Sequence, residues 1–299
     1  MRLAFDVETE VLPWVTPLED PVPGRYYWRQ NRWVPWTQVK KVRGRHGDGT
    51  YDTPDDIVAV QLAGFACGAI CLWQEAYYTR VFSHTELDSF LHHLTEATLL
   101  VGANPSFDFL VLSHYADVSS LFRKTVDILK WARFGMWLKW VWFAKQKNHS
   151  LEALGIRQRS GAIEYSGAVV NLTGANLHAL GLQNLGVGKS HSIKQLRWPE
   201  DRQEIEMYCA HDTLLTAQLY ALGWQRGWLT VGGLDAPVPF RELEQIDDKS
   251  FNRDTLRQLE ETWDNPVVKE LAEWGLRLSA LYVAYEGVER AYFSKRGRQ

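Results

Sequence analysis

The sequence predicts an α/β fold: a mixed sheet flanked by helices, with a basic, aromatic insert after the first strand and a helical C-terminal extension. Three observations carry that expectation. Short apolar runs of strand length alternate with stretches of helical periodicity between residues 1 and 224. Acidic residues follow two of those runs, Asp6-Val7-Glu8 directly after Leu3-Ala4-Phe5 and Asp108 a short turn after Leu99–Gly102. Beyond Gly232-Gly233 the apolar positions keep helical spacing, which divides the chain into a body over 1–231, with the insert at about 11–56, and an extension over 232–299.

Taken in order, Arg2–Val7 reads as the first and central strand. Asp56–Phe65 and Gly68–Trp73 read as the next two, joined near Ala66-Cys67. Ser83-His84-Thr85-Glu86 is a capping box, in which serine and glutamate satisfy each other's free backbone N–H groups. The helix it opens carries Leu87, Phe90, Leu91 and Leu94 on one side. Thr98–Gly102 is a short strand, Ser106–Tyr115 a helix, and Thr125–Leu129 another strand or strand start. Pro199 suits a first helical turn, with Glu200, Asp201 and Glu204 at its positive end. That helix should run to about Leu222, with Ile205, Cys209, Leu215 and Leu219 facing the core. In the extension, Phe251–Trp263 and Pro266–Phe293 read as helices with Leu271, Trp274, Leu278 and Leu281 in their apolar stripes.

Size and composition bound the classes. A chain of 299 residues with 45% hydrophobic content can bury a substantial core. Three cysteines are too few for a disulfide framework, and Cys67 and Cys71 read as buried small hydrophobes. There is no zinc-type spacing. No apolar run reaches membrane-span length and no secretory leader is evident, so no membrane association and a cytoplasmic location are expected. A net charge of −3 does not announce a nucleic-acid binder, although basic residues are unevenly placed.

The chemistry lies in three motifs: Asp6-Val7-Glu8, Asn104-Pro105-Ser106-Phe107-Asp108, and Tyr208-Cys209-Ala210-His211-Asp212. Side chains two apart on a strand share a face, so Asp6 and Glu8 can serve one site. Residues four apart share a helix face, which sets Tyr208 over Asp212. Carboxylates gathered in this way can hold two divalent cations about 4 Å apart, a pair able to stabilise the attacking and leaving oxygens of a displacement. Hard cations take oxygen ligands, which accounts for Asp and Glu rather than His and Cys.

Four carboxylates and a tyrosine in this order resemble the three exonuclease motifs of the DEDD superfamily, in its DEDDy branch. That branch includes the proofreading domains of family A, phage-type DNA polymerases and the RNase D group. Met207 stands where the DEDDh branch needs histidine, and His211, adjacent to Asp212, falls on a different helix face. Thr125-Val126-Asp127 and Ser150-Leu151-Glu152-Ala153-Leu154-Gly155 are similar to further polymerase-exonuclease segments. The resemblance covers roughly 1–10 and 57–224. It implies an RNase H-like sheet and a site for two divalent ions, Mg²⁺ or Mn²⁺. Asp6 would bridge both, Glu8 and Asp212 would complete the site of the water-activating ion, and Asp108 would support the second. Tyr208 would orient the attacking water; with a reference pKa near 10 it is not a free base at neutral pH.

The insert has no acidic residue from Pro21 to Gly47. It carries Arg25, Arg29, Arg32, Lys40, Lys41, Arg43 and Arg45, interleaved with Tyr26, Tyr27, Trp28, Trp33 and Trp36. Arg29, Arg32, Trp33, Lys40 and Lys41 suit single-stranded DNA, through phosphate pairing and base stacking. A surface hairpin whose aromatics pack on the body is the competing reading. Asn104 and Phe107 of the second motif join the candidate nucleic-acid contacts. Gly188-Lys189-Ser190 lacks the rest of a phosphate loop, because Gln183 replaces its first glycine. Trp131, Trp137, Trp140 and Trp142 fit core or helix packing better than a stacking platform.

The resemblance implies a metal-dependent 3′→5′ exonuclease that releases nucleoside monophosphates from single-stranded DNA 3′ ends. It is expected to stand alone or to proofread for a separately encoded polymerase, since nothing after residue 232 resembles a polymerase palm. The alternatives are an RNase D-like RNA 3′-end exonuclease and a non-catalytic nucleic-acid-binding or polymerase-docking module.

Overall fold

A computed structural model of the chain describes residues 1–13, 22–27, 32–35, 57–72, 78–113, 115–147, 156–159, 162–165, 176–188 and 201–296. It is an α/β arrangement built on a mixed seven-stranded sheet with helices on both faces. Strand β1 (Arg2–Pro13) lies inside the sheet. Its odd residues Leu3, Phe5 and Val7 bury on one face, leaving Ala4, Asp6 and Glu8 for the other.

The neighbours follow from β1. Strands β2 (Val22–Tyr27) and β3 (Arg32–Pro35) form an antiparallel hairpin whose first strand pairs with the start of β4 (Ile57–Ala69). β4 runs antiparallel to β1 from Leu3↔Ala69 to Pro13↔Val58. The register slips between Glu8 and Thr9, where Gly64 and Leu62 are the successive partners and Ala63 is the extra residue. Such bulges re-aim side chains and recur beside active sites. Strand β5 (Thr79–Phe82) pairs with β4 over Phe65–Gly68. On the other side of β1, β6 (Leu99–Gly102) and β7 (Thr125–Asp127) are parallel to it.

Two expectations are corrected here. Asp56–Phe65 and Gly68–Trp73 are not two strands: one continuous strand passes through Ala66-Cys67, and the next strand is Thr79–Phe82. Small residues that resemble a turn in sequence serve as a flat landing surface. A Cβ on Gly68 would meet Thr79 Cγ2 at 2.9 Å and Thr213 Cγ2 at 3.4 Å. The segment after the first strand also differs from a simple interruption, since β1 continues to Pro13 and β2–β3 widens the sheet. Arg32 and Trp33 lie on β3; Arg29, Lys40 and Lys41 are outside the described residues.

One face of the sheet is covered by α1 (Leu87–Glu96), α2 (Ser106–Leu112) and α3 (Ser119–Arg123), packed on Phe5, Phe65, Phe82 and Leu100. The expected capping box is formed: Glu86 Oε2 accepts from Ser83 N at 3.0 Å. The opposite face carries α4 (Ile128–Gln146) and α6 (Arg202–Arg226), with α5 (Leu177–Leu185) beside α6. Asp127 ends β7 and caps α4, accepting from Leu129 N at 3.0 Å and Lys130 N at 3.1 Å. Of the tryptophans on α4, Trp131 and Trp137 are wholly buried, Trp142 is half-buried and Trp140 is exposed. Ile205, Cys209, Leu215 and Leu219 of α6 are buried as expected. Pro199 lies outside the described residues, and the helix begins after Asp201.

A separate small hairpin, β8 (Ile156–Arg159) and β9 (Ala162–Tyr165), precedes α5. Gly227, at φ 75°, ends α6 and leads into the hairpin of β10 (Trp228–Val231) and β11 (Leu234–Pro237). Gly232 and Gly233 form its two-residue turn with φ of 58° and 78°, a backbone only glycine adopts cheaply. The expected boundary after residue 231 therefore falls inside a hairpin. Beyond it lie α7 (Phe240–Leu243), α8 (Arg253–Thr262), α9 (Pro266–Glu273) and α10 (Leu278–Arg296). The helix expected over Pro266–Phe293 is two: Gly275 at φ 75° and the Leu276 N to Leu271 O bond of 2.8 Å close off α9.

The extension shares one core with α4 and α6. Phe251 meets Trp131 edge-on at 4.7 Å and Phe134 at 5.3 Å, while Tyr285 meets Phe134 at 5.3 Å. Arg2 ties β1 to the extension through a two-pronged pair with Glu244 at 2.7 and 2.6 Å. A sharp test of this docking is Gly135→Ala, because a Cβ at Gly135 of α4 would overlap the Pro237 carbonyl oxygen. The variant is expected to lose about 1–3 kcal/mol or more of unfolding free energy in urea, whereas an unchanged midpoint would show that β11 does not press on α4. No helix among the described residues is long and apolar enough to cross a membrane. Cys67, Cys71 and Cys209 are free thiols.

Candidate active site

Asp6 and Glu8 share one face of β1, opposite small residues of β4. Their partners across the ladder are Ala66 and Gly64, so α6 can approach closely. Cys209 Sγ, one turn into that contact, donates to the Asp6 carbonyl oxygen at 3.5 Å. This anchoring places the next turn of α6, with Asp212, over the carboxylates. Oxygen atoms of Asp6, Glu8 and Asp212 all lie within 4.8 Å of one another.

Asp108 arrives from a different element. β6 ends at Gly102, where a Cβ would meet Pro105 Cβ at 2.8 Å and Phe5 Cε1 at 3.4 Å. Asn104 then takes the left-handed conformation, φ 66°, which asparagine tolerates better than most residues. Its backbone N–H is held by Asp127 Oδ1 at 3.2 Å. That turn starts α2 so that Asp108, in its first helical turn, faces the end of β1. The Val7 backbone and the charge of Asp6 both act on its carboxyl group.

Electrostatics bind the four into one unit. Glu8, Asp108 and Asp212 are buried; Asp6 keeps some surface as a residue, but its Oδ2 is enclosed with no hydrogen-bond partner. Burial, moderated by hydrogen bonds, pushes the Asp6 carboxyl up to about 6. Glu8 is raised well above the usual carboxylate range, first by burial and then by the charges of Asp6, Asp212 and Asp108. Asp108 is raised by burial and then by Asp6. Like charges crowded out of water disfavour each other's ionised forms. An all-oxygen group of this kind can hold a hard cation.

Tyr208 lies one turn before Asp212. Burial and the neighbouring Asp212 and Glu8 charges raise its hydroxyl far above the ordinary phenol value, so it is a protonated donor at neutral pH. The sequence reading missed its companion. His178, in the first turn of α5, sets Nε2 3.1 Å from the Tyr208 hydroxyl and 3.6 Å from Asp212 Oδ2. His211, set aside on the sequence as facing elsewhere, lies with its ring nearly parallel to that of His178, centroids 6.4 Å apart at 11°. His178, His211 and Asp212 form a second group whose ligand atoms lie within 4.8 Å. The one local signal was Asn176, whose side chain caps α5 by accepting from Ala179 N at 2.9 Å; nothing in it specifies a partner 30 residues away.

The structure thus brings together Asp6, Glu8, Asp108, Tyr208 and Asp212. Of the candidate nucleic-acid contacts, Asn104 is exposed on the turn leading to Asp108. Phe107 is half-buried against the α1–α2 core. Comparison with family models, with curated proteins and with solved structures found no match to this chain.

Proposed function

We propose that this chain is a metal-dependent 3′→5′ exonuclease of the DEDDy, RNase H-like kind, acting on single-stranded DNA 3′ ends. The observation that carries the reading is the convergence of Asp6, Glu8, Asp108 and Asp212 from three distant elements, with Tyr208 beside them. The sheet supports it. Leaving out the β2–β3 hairpin, the order is β5-β4-β1-β6-β7, with β4 antiparallel and β6 and β7 parallel to β1. That order is compatible with an RNase H-like sheet.

The residues fit a pair of hard divalent ions, Mg²⁺ or Mn²⁺: the donors are oxygens, one is enclosed without a partner, and their mutual repulsion is what bound cations relieve. Asp6, Glu8, Asp108 and Asp212 would hold them. When bound, such ions neutralise phosphate charge and acidify bound water. The chain's own contribution is orientation. Tyr208 keeps its proton and offers a hydrogen bond at a fixed point over the carboxylates. His178 restrains that hydroxyl from α5. Tyr208→Phe is therefore expected to slow hydrolysis about 10²-fold without abolishing it, in single-turnover cleavage. An unchanged rate would reduce Tyr208 to packing.

The deciding assay is degradation of a 5′-labelled DNA oligonucleotide with Mg²⁺ or Mn²⁺, beside a matched RNA. A ladder shortening from the 3′ end of DNA supports the reading, preference for RNA moves it to RNase D-like processing, and no cleavage with either ion overturns it. The resemblance to phage-type proofreading domains makes a separately encoded DNA polymerase the proposed partner. The basic insert that contains Arg29, Arg32, Trp33, Lys40 and Lys41 is the proposed path for the single strand.

A further inference from the structure

We propose that His178, His211 and Asp212 form a transition-metal site, separate from the all-oxygen group of Asp6, Glu8 and Asp212 and sharing the Asp212 carboxylate with it. The inference stands on geometry and donor chemistry and does not depend on nuclease activity.

Three observations carry it. The ligand atoms of the two imidazoles and the carboxylate lie within 4.8 Å of one another. His178 Nε2 and Asp212 Oδ2 are 3.6 Å apart. In a tetrahedral zinc site with bonds of about 2.0–2.1 Å, neighbouring ligand atoms stand roughly 3.3 Å apart, so the pair needs only a small adjustment. The third observation concerns His211, whose Nε2 is enclosed without a hydrogen-bond partner. Buried polar atoms are rarely left without a partner, and an ion bonded to Nε2 would supply one.

The donor set decides which ion. Two imidazoles and one carboxylate suit borderline ions such as Zn²⁺ and Co²⁺, whereas Mg²⁺ prefers oxygen and keeps its waters. Two neighbouring groups on one carboxylate would therefore sort ions by softness: hard ions at Asp6 and Glu8, borderline ions at the histidines. Ligation by His178 requires the tautomer with its proton on Nδ1. In that tautomer Nε2 otherwise accepts from the Tyr208 hydroxyl, 3.1 Å away. An ion at this site would compete with Tyr208 for the same lone pair, and the two states exclude each other.

The test uses the full chain, stripped with EDTA and titrated with Co²⁺ as a spectroscopic stand-in for zinc. Expected are a visible ligand-field band and two exchangeable, hyperfine-shifted imidazole N–H resonances in the proton spectrum, one from each ligating histidine. Both should persist in excess Mg²⁺ and in Asp6→Ala, which keeps all three ligands. His178→Asn and His211→Asn should each bind Co²⁺ at least about tenfold more weakly. Displacement of Co²⁺ by Mg²⁺, or loss of the band in Asp6→Ala, would assign the ion to the carboxylates and overturn the proposal. So would fewer than two imidazole resonances in the wild-type chain, a readout that holds even where a histidine variant fails to fold.

Discussion

Asp6→Ala is expected to lower Mg²⁺-dependent DNA hydrolysis by about 10³-fold or more, since the divalent-ion contribution to such a transition state is several kcal/mol. The fold should survive. Asp6 contributes an enclosed oxygen without a hydrogen-bond partner and raises the carboxyl groups of Glu8 and Asp108 by its charge. Removing it takes away both a ligand and a source of repulsion, and the cross-strand neighbour is only Ala66. Activity should therefore fall while thermal stability of the ion-free chain rises. The two readouts must move in opposite directions. Joint loss of activity and melting temperature would mean that Asp6 is a structural carboxylate, and wild-type turnover would remove the proposed mechanism altogether.

What the sequence disclosed depended on how local each signal was. Ser83 and Glu86 are three residues apart, and their reciprocal cap is readable because both partners fall within one turn. The face shared by Asp6 and Glu8 follows from strand period alone. Ala66, Cys67 and Gly68 misled because small residues suit both turns and sheet surfaces that a helix must approach; only the position of Thr213, far along the chain, decides between them. Gly275 lay inside an apolar stripe that continues in phase on both sides, so periodicity hid the break its left-handed backbone makes. Gly232-Gly233 marked a turn correctly but not its scale, a hairpin rather than a boundary. His178 was invisible for the same reason as Thr213: its meaning comes from Tyr208 and Asp212, which the sheet and α6 bring to it. The carboxylates were found by pattern, the histidines only by packing.

The ion-free chain is expected to become more stable as pH falls from about 7.5 to 5, the reverse of ordinary acid sensitivity. Asp6 has a folded-state pKa of about 6 against a reference of 3.8. A carboxyl whose pKa is raised by folding opposes folding when ionised, because the unfolded state binds the charge more cheaply. That opposition is complete above about 6, diminishes as pH falls through it, and is gone below the unfolded value. The interval from about 6 to 3.8 corresponds to on the order of 3 kcal/mol. Glu8 and Asp108, also raised by burial, act with the same sign. Exposed Glu86, Asp117 and Asp264 are lowered by their hydrogen bonds, and they reverse the trend only at more acidic pH. Divalent ions should erase the slope by occupying the ionised carboxylates: Mn²⁺ at a hundred times its dissociation constant adds about 2.7 kcal/mol near neutrality and little at pH 5, where protons compete for the same oxygens. Melting temperatures with EDTA and with Mn²⁺, taken at pH 7.5 and 5, measure both effects at once. A flat EDTA profile, or an Mn²⁺ increment that is equal at the two pH values, would mean that the four carboxylates do not act as a coupled cation site.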